Sequence, residues 1–475
     1  MRVAVVGAGI TGLSAAYELV HGGGSEATEV EVVVLEADPR FGGKIRTAPF
    51  AGHPVDEAAD AFLARVPEAV ELCRQLGLAD RLVTPATRQA YLYSRGELRA
   101  FPEGLVLGVP TDLDALGASG AVSPAGVERA GQDLTMGPDT GPTGQGDDES
   151  VGDLVRRRVG DEVFERLVAP LLSGVHAGDA DKLSVAAGAP AFAAAVRSHG
   201  SLIEGLRAQR QSVSADPDAP VFYGLATGTE GLIDALVDAL DVAGVDLQRE
   251  ARVSRVIPEG AAAASYEVHV AGEGAPLDLD AVILASPLDA TAALLQPFEP
   301  DLAAAMQAVD YASVAVVALA VPLDGIDRPL DGSGFLVAQP EGLLLTACSW
   351  ASSKWAHLSD DSTAILRASV GRADDTRADA LDDDALVEAV RADLAATMGL
   401  ATTPTAVRVT RWPRALPQFQ VGHLDRVQGW QARLAETRPG LVVAGAGLSG
   451  LGIPACIAQG RAAARAVRAD LEAGG

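Results

Sequence analysis

Residues 7–12, Gly7-Ala8-Gly9-Ile10-Thr11-Gly12, have the types and spacing to hold a pyrophosphate. Gly7 allows a tight turn after the apolar run Val3 to Val6, Gly9 lets backbone approach phosphate oxygens, and Gly12 lets the next helix pack on the strand. A helix from about Thr11 to Val20 would aim unpaired N–H groups and its positive dipole end at the same anion. Glu36 closes a second apolar run, Val30 to Leu35, at the sequence distance where an acidic side chain meets a ribose hydroxyl. At the far end, Gly445-Ala446-Gly447 and Gly450-Leu451-Gly452-Ile453-Pro454 follow the apolar run Leu441 to Val443. Two strand-then-glycine turns so far apart point to one extended ligand that meets backbone at both, and FAD has that shape. A third turn, Ala37-Asp38-Pro39-Arg40-Phe41-Gly42-Gly43-Lys44, agrees. A nicotinamide dehydrogenase has no use for it, whereas a flavoprotein needs one to wrap the far side of FAD. The expected chemistry is hydride acceptance by a flavin.

Such turns need strands and helices to hold them, and composition bounds what those can be. At 475 residues the chain exceeds what one core supports, so two or three domains are expected. With 48% hydrophobic and 21% charged residues it is globular. A net charge of −27 argues against nucleic acid and against an anionic membrane surface, so an anionic substrate would need a local basic pocket. Only three lysines occur, Lys44, Lys182 and Lys354. Cys73, Cys348 and Cys456 are scattered, with no metal spacing; no metal site is expected, and sparse thiols fit a reducing cytoplasm. The first apolar stretch reads as the nucleotide-binding strand rather than a leader. The longest apolar run, Ala312 to Val321, ends at Pro322 and reads as a buried strand. The expectation is a soluble protein, with peripheral membrane contact left open.

The periodicities divide the chain. A helix is expected over Val66 to Leu76, with Pro67 in its first turn. A loop or mobile segment follows from about Ala115 to Ser150, notably Gly137 to Gly144. Helices are expected over Val151 to Leu172, carrying Arg156, Arg157 and Arg158 as solvated or locally paired groups, and over Ser184 to Gln209. A second link spans Ser212 to Pro220. Helix Leu232 to Leu240 and strands Arg252 to Ile257, Tyr266 to Val270 and Ala281 to Ala285 then restore an α/β rhythm. Strands Ser313 to Val321, Gly334 to Val337, Leu343 to Cys348 and Ala364 to Val370, with an acidic helix Asp383 to Met398, suggest an α+β unit. The fold class is therefore α/β plus α+β. It comprises a discontinuous Rossmann-like FAD-binding domain (1–68, 225–292 and 410–475), a mixed-sheet substrate domain (69–81, 212–224 and 293–409) and a mostly helical insertion (82–211).

The chain resembles the bacterial FAD-dependent porphyrinogen oxidases of Gram-positive type, the coproporphyrinogen III and protoporphyrinogen oxidases, within the monoamine-oxidase-like flavoproteins. Val6 to Ala16 and Leu35 to Arg46 carry the likeness to the wider group. Pro170-Leu-Leu-Ser-Gly-Val-His-Ala-Gly-Asp179, Trp412-Pro-Arg-Ala-Leu-Pro-Gln-Phe-Gln-Val-Gly-His423 and Gly450 to Gly460 carry it to the porphyrinogen oxidases. The resemblance implies FAD contacts at Gly7, Ala8, Gly9, Ile10, Thr11, Gly12, Glu36, Ala37, Arg40, Gly42, Gly43, Lys44, Val253, Trp412, Leu451, Gly452 and Ile453. It adds Ala58, Ala59, Asp60 and Ala61, where relatives usually carry glycine in a G-x-D turn. If that position needs positive φ, alanine costs about 1 kcal/mol. Leu171, Leu172, Val175 and His176 fall beside the implied substrate cleft, with His176 read first as a hydrogen-bonded structural residue. Arg65 reads equally as a propionate partner or a surface side chain; relatives often carry another cation next to it, where this chain has Val66. Trp350 and Trp355 read as core or as cavity wall.

The implied reaction is oxidation of coproporphyrinogen III to coproporphyrin III by O₂, with H₂O₂ formed over three flavin cycles, in haem biosynthesis. The flavin would do the redox step, so no catalytic side chain is expected. Protoporphyrinogen IX is the alternative substrate. An amine oxidase, which builds an aromatic cage, and a non-catalytic flavin or porphyrin carrier are the rivals. The resemblance also leaves room for transient contact with a ferrochelatase.

Overall fold

The computed structural model describes residues 1–22, 30–137, 148–212, 219–259, 265–272 and 274–474. The N-terminal apolar run forms β1 (Arg2–Val6), followed by α1 (Ile10–His21) and β2 (Glu31–Leu35). These two strands lie inside a five-stranded parallel sheet in the order Asp246–Gln248, β2, β1, Ala281–Leu284, Leu441–Val443. The strands are runs of Val, Ile and Leu because both faces are buried. Val3, Val5, Val32, Val34 and Ile283 enter the core under α1. Ala4, Val6, Val33, Leu35 and Leu284 enter a second core with Trp430 and Leu434 of the helix His423–Thr437. On the first face the helix Ile453–Gly474 packs across α1, closely enough that a Cβ on Gly460 would lie 2.1 Å from the Thr11 carbonyl oxygen.

The hairpin β3 (Thr47–Phe50) and β4 (His53–Asp56) continues directly from the third glycine turn. Beyond it stands a seven-stranded sheet, ordered Ala406–Pro417, Tyr311–Pro322, Thr363–Val370, Leu345–Trp350, Gly334–Val337, Tyr91–Ser94, Glu97–Ala100. Neighbours are antiparallel except for the pair Gly334–Val337 with Tyr91–Ser94, so the sheet is mixed. The hairpin Tyr91–Ala100 lies inside the stretch read as mostly helical, yet it extends this sheet. Trp350 is fully buried in the sheet's core, its ring edge-on to Phe335.

A third core gathers the helices around Leu154, Phe164, Leu167, Phe192 and Leu206. Several expectations change here. The loop read from Ala115 to Ser150 holds two helices, Leu113–Ser119 and Pro124–Gly131, capped by the side chains of Asp112 and Ser123. The part at 138–147, and most of the link Ser212 to Pro220, lies outside the described residues. The helix expected over Val151 to Leu172 stops at Val159 because Gly160, with φ +89°, turns the chain. A second helix then runs from Asp161 to His176, with a π-turn at Phe164–Val168 just before Pro170. Proline has no N–H for the α-helical bond and its ring crowds the preceding turn, which accounts for the wider turn there. The helix expected over Ser184 to Gln209 is three, broken at Pro190 and Gly200. No helix among the described residues is long and apolar enough to cross a membrane.

Candidate functional site

The glycine turns meet at the C-terminal ends of parallel strands, where open α/β sheets take their ligands. Gly7, with φ +99°, turns the chain beneath Ala285, so close that a Cβ would lie 3.0 Å from the Ala285 carbonyl oxygen. A Cβ on Gly12 would lie 1.9 Å from the Gly7 oxygen, so this glycine is what seats α1 on the loop. Gly9 differs: a Cβ there would meet nothing within 4 Å, and no side chain caps α1 behind it. Open space in front of an uncapped helix start is what a pyrophosphate needs.

Glu36 is buried and ties this loop down, accepting from the Ala8 N–H at 2.7 Å and the Asp38 N–H at 2.9 Å. Half-buried Ala37 follows it, and the Glu36 carbonyl accepts from the Ala251 N–H at 2.8 Å, which brings Val253 to the same end. The third turn folds onto the first: the Gly42 N–H donates to the Ala8 carbonyl at 2.8 Å, and a Cβ on Gly43 would lie 3.4 Å from the Gly9 Cα. Arg40 shapes this turn from inside, donating to the carbonyls of Phe41 (2.6 Å), Gly43 (2.8 Å) and Ile45 (3.0 Å). Its guanidinium is thus engaged by the turn itself. Lys44 keeps exposed surface, yet desolvation of its ammonium lowers the pKa, and Cys456 and Asp289 act in the opposite sense. Those partners come from the helix Ile453–Gly474 and the helix Leu288–Leu295, so Lys44 faces the C-terminal glycine cluster. There Leu451 leans on the helical core, Ile453 is buried against the parallel sheet, and Gly452 stays exposed between them.

Residues 57–61 form a strap beside these turns. The Glu57 N–H donates to the Arg46 carbonyl at 2.8 Å, and the half-buried Trp412 donates its indole N–H to the Glu57 carbonyl at 2.9 Å. The indole of Trp412 thus meets the strap at Glu57, next to Ala58 and before Ala59, Asp60 and Ala61. Ala58 does not have positive φ, so the alanine carries no left-handed strain. The Asp60 carboxylate is not free for a ligand. It accepts from Lys354 Nζ at 2.9 and 3.0 Å and from the Trp355 indole at 3.1 Å, and pairs with Arg367 at 3.0 Å. Burial alone would raise its pKa; Lys354 and Arg367 outweigh that and hold it well below the ordinary carboxylate range. Glu57 is buried between Arg46 (2.9 Å) and Arg408 (3.2 Å). None of these four cations was among the candidate residues. Trp355, 2% exposed, stands behind Asp60 as core.

Of the substrate candidates, Leu171 and Val175 share a helix face with Gly174, and Val175 is 60% exposed. His176 is not with them. Together with Leu172 it turns to the buried face, edge-on to Phe419, whose ring stacks on His423. The hydrogen bond expected of the His176 ring is absent among the described residues: its Nδ1 has no partner, and only its backbone carbonyl accepts, from Gln418 at 3.0 Å. Burial pushes the imidazole down to about 4. Arg65 is exposed and, among the described residues, its side chain makes no ion pair or hydrogen bond. Arg156 pairs with Asp161 and Glu165 as its spacing suggests, but Arg158 is buried on Asp133 rather than solvated.

A family model described as flavin containing amine oxidoreductase matches residues 10–468. The chain is 35% identical over 468 residues to the coproporphyrinogen III oxidase of Bacillus subtilis, covering 97% of each. It is 37% identical over 469 residues to that of Mycobacterium bovis, covering 99% of this chain and 97% of that protein. Among solved structures, a protein from Exiguobacterium sp. 255-15, described provisionally as a protoporphyrinogen oxidase, superposes with a TM-score of 0.85 at 30% identity over 98% of both chains. The chain belongs to the flavin containing amine oxidoreductase family and is an oxidoreductase that works with FAD.

Proposed function

We propose that the protein oxidises coproporphyrinogen III to coproporphyrin III, removing six electrons in three two-electron steps, with O₂ reduced to H₂O₂ at each. The observation that carries this is similarity from end to end, above one third identity, to coproporphyrinogen III oxidases of two separate bacterial lines. FAD, when bound, supplies the hydride acceptor. Gly7 to Gly12 and the start of α1 would hold the pyrophosphate, and Glu36, Ala37 and Val253 the adenosine end. The turn Arg40 to Lys44 would close over the middle, with Ala58 to Ala61, Trp412 and Leu451 to Ile453 around the ring. The division into an FAD-binding domain, a substrate domain and a helical insertion is proposed with it; the sheet assembled from three distant stretches supports a discontinuous first domain.

The chain's remaining task is to place a flat, electron-rich macrocycle and keep water from it. Leu171 and Val175 offer an apolar face, with Val175 left 60% exposed among the described residues. Arg65 offers an uncommitted cation to a propionate. His176 contributes by packing rather than by contact. Protoporphyrinogen IX is a second reading, favoured by the Exiguobacterium likeness. An amine oxidase is less well supported, since among the described residues no second aromatic ring packs with Trp412. A cytoplasmic setting is proposed, in keeping with three buried, unpaired cysteines.

The test is the rate of porphyrin fluorescence gain in air with coproporphyrinogen III and protoporphyrinogen IX side by side. A higher kcat/KM for the first supports the proposal. A preference for the second makes protoporphyrinogen the substrate, and FAD-loaded protein that neither porphyrinogen bleaches anaerobically would indicate a carrier.

A further inference from the structure

The strap carries more charge than it needs for its own folding. Two carboxylates lie on it, Glu57 and Asp60, and Asp56 ends β4 just before it; all three are largely buried. Four cations brace it: Arg46 and Arg408 on Glu57, Lys354 and Arg367 on Asp60. Among the described residues the balance of these groups is one positive charge in excess, in a protein whose overall charge is −27. The nearby pair Arg40 and Glu230 is neutral and does not alter it. Burying an uncompensated cation costs several kcal/mol of desolvation unless something offsets it. Arg367 is 7% exposed, and its buried Nε has no hydrogen-bond partner among the described residues.

Three long-range contacts fix the strap and the end of β4 before it in front of this cluster. Arg367 donates to the Ala58 carbonyl, Arg408 to the Val55 carbonyl at 3.1 Å, and Trp412 to the Glu57 carbonyl at 2.9 Å. Ala59, in the middle, is exposed. The cations thus stand behind the strap, committed to carboxylates and carbonyls, where they can bind no ligand directly but act through it by their field.

We propose that this excess charge makes reduction of the bound flavin easier, with Lys354 as the positioning residue that acts through Asp60 and the strap. The proposal rests on the flavin reading above. A flavin held here would gain one unit of negative charge on accepting two electrons and one proton as hydride, so a fixed positive potential nearby would favour its reduced form. The electrons would leave again to O₂, the acceptor in the function proposed above.

The experiment is anaerobic equilibration of the FAD-loaded protein against a reference dye, reading the ratio of reduced to oxidised flavin. Lys354→Gln keeps a donor for Asp60 but removes the charge, and is expected to shift that ratio about tenfold toward the oxidised form, about 30 mV for a two-electron couple. Lys354→Arg should restore the wild-type ratio within twofold. Trp355→Phe, which removes a hydrogen bond to Asp60 without changing charge, should also stay within twofold. A Lys354→Gln protein whose ratio matches wild type overturns the inference, whatever its melting temperature. If that variant does not fold, Arg46→Gln, half exposed on the other flank, should shift the ratio in the same direction, and no shift there overturns it equally. Wild-type protein that takes up no FAD would instead remove the flavin reading itself.

Discussion

Replacing Gly9 by leucine separates folding from cofactor binding more cleanly than any other change near the loops. Gly9 has φ −70° and ψ 176°, extended backbone open to any residue, and its Cβ direction is clear for 4 Å. The apoprotein should lose at most about 1 kcal/mol, the cost of an apolar residue at a helix N-cap. The added side chain fills the space before the first N–H groups of α1. Two charge-assisted hydrogen bonds to phosphate, at about 1.5–3 kcal/mol each, would be lost. That is about 3–6 kcal/mol, or about 10²- to 10⁴-fold in Kd. The assay is the ratio of 450 nm to 280 nm absorbance after purification with excess FAD, together with thermal melting of the apoprotein. A colourless variant that melts with the wild-type apoprotein is expected. Yellow protein with normal flavin content would refute the assignment of the pyrophosphate to this loop.

Gly12→Val should behave oppositely, losing soluble expression as well as colour, because its Cβ cannot fit 1.9 Å from the Gly7 oxygen without lifting α1; a variant as stable as wild type would contradict that packing. Arg65→Ala should raise KM for coproporphyrinogen III about three- to fivefold, the worth of an exposed ion pair, and for protoporphyrinogen IX less; equal changes would remove the propionate role. His176 gives a pH dependence. The unfolded imidazole titrates near 6.5 and the buried one near 4, so the unfolded state binds more protons between these values. Stability is complete above about pH 6.5 and falls as pH drops toward 4, by at most about 3 kcal/mol from this group. His423, lowered mainly by burial, acts in the same sense. His176→Phe should flatten the decline in melting temperature over that window, and an unchanged slope would count against a buried neutral imidazole.

The glycine turns were legible because their requirement is local: positive φ at Gly7, Gly42 and Gly43, or a close approach at Gly12, leaves its mark on the residue itself. The parallel strands were legible because burial on both faces leaves unbroken Val and Ile runs. The bracing of the strap was not. Asp60 meets Lys354 across 294 residues, and no spacing rule connects them; the only hint was that Lys354 is one of three lysines in an arginine-rich chain. That His176 and Leu172 turn away from Leu171 and Val175 was hidden for another reason. Periodicity assumes 3.6 residues per turn, and the π-turn at Phe164–Val168 rotates everything after it. The short helices in the Gly- and Pro-rich stretch did have a signal, Ser123 followed by Pro124, an N-cap and a first-turn proline that composition masked.

The parallel sheet has a consequence in time. Its central strand is made well before the outer strand Leu441–Val443 and the helix that crosses α1, which come more than four hundred residues later. At roughly 5–20 residues per second, the nucleotide loop waits about 20–90 s for its last neighbours. During that interval the α1 face that Gly460 later covers has no partner from its own chain. A cofactor that needs both the nucleotide loop and the Leu451–Ile453 cluster can therefore be fully enclosed only after these late elements are made, and a chain that stalls before the last strand leaves that α1 face bare.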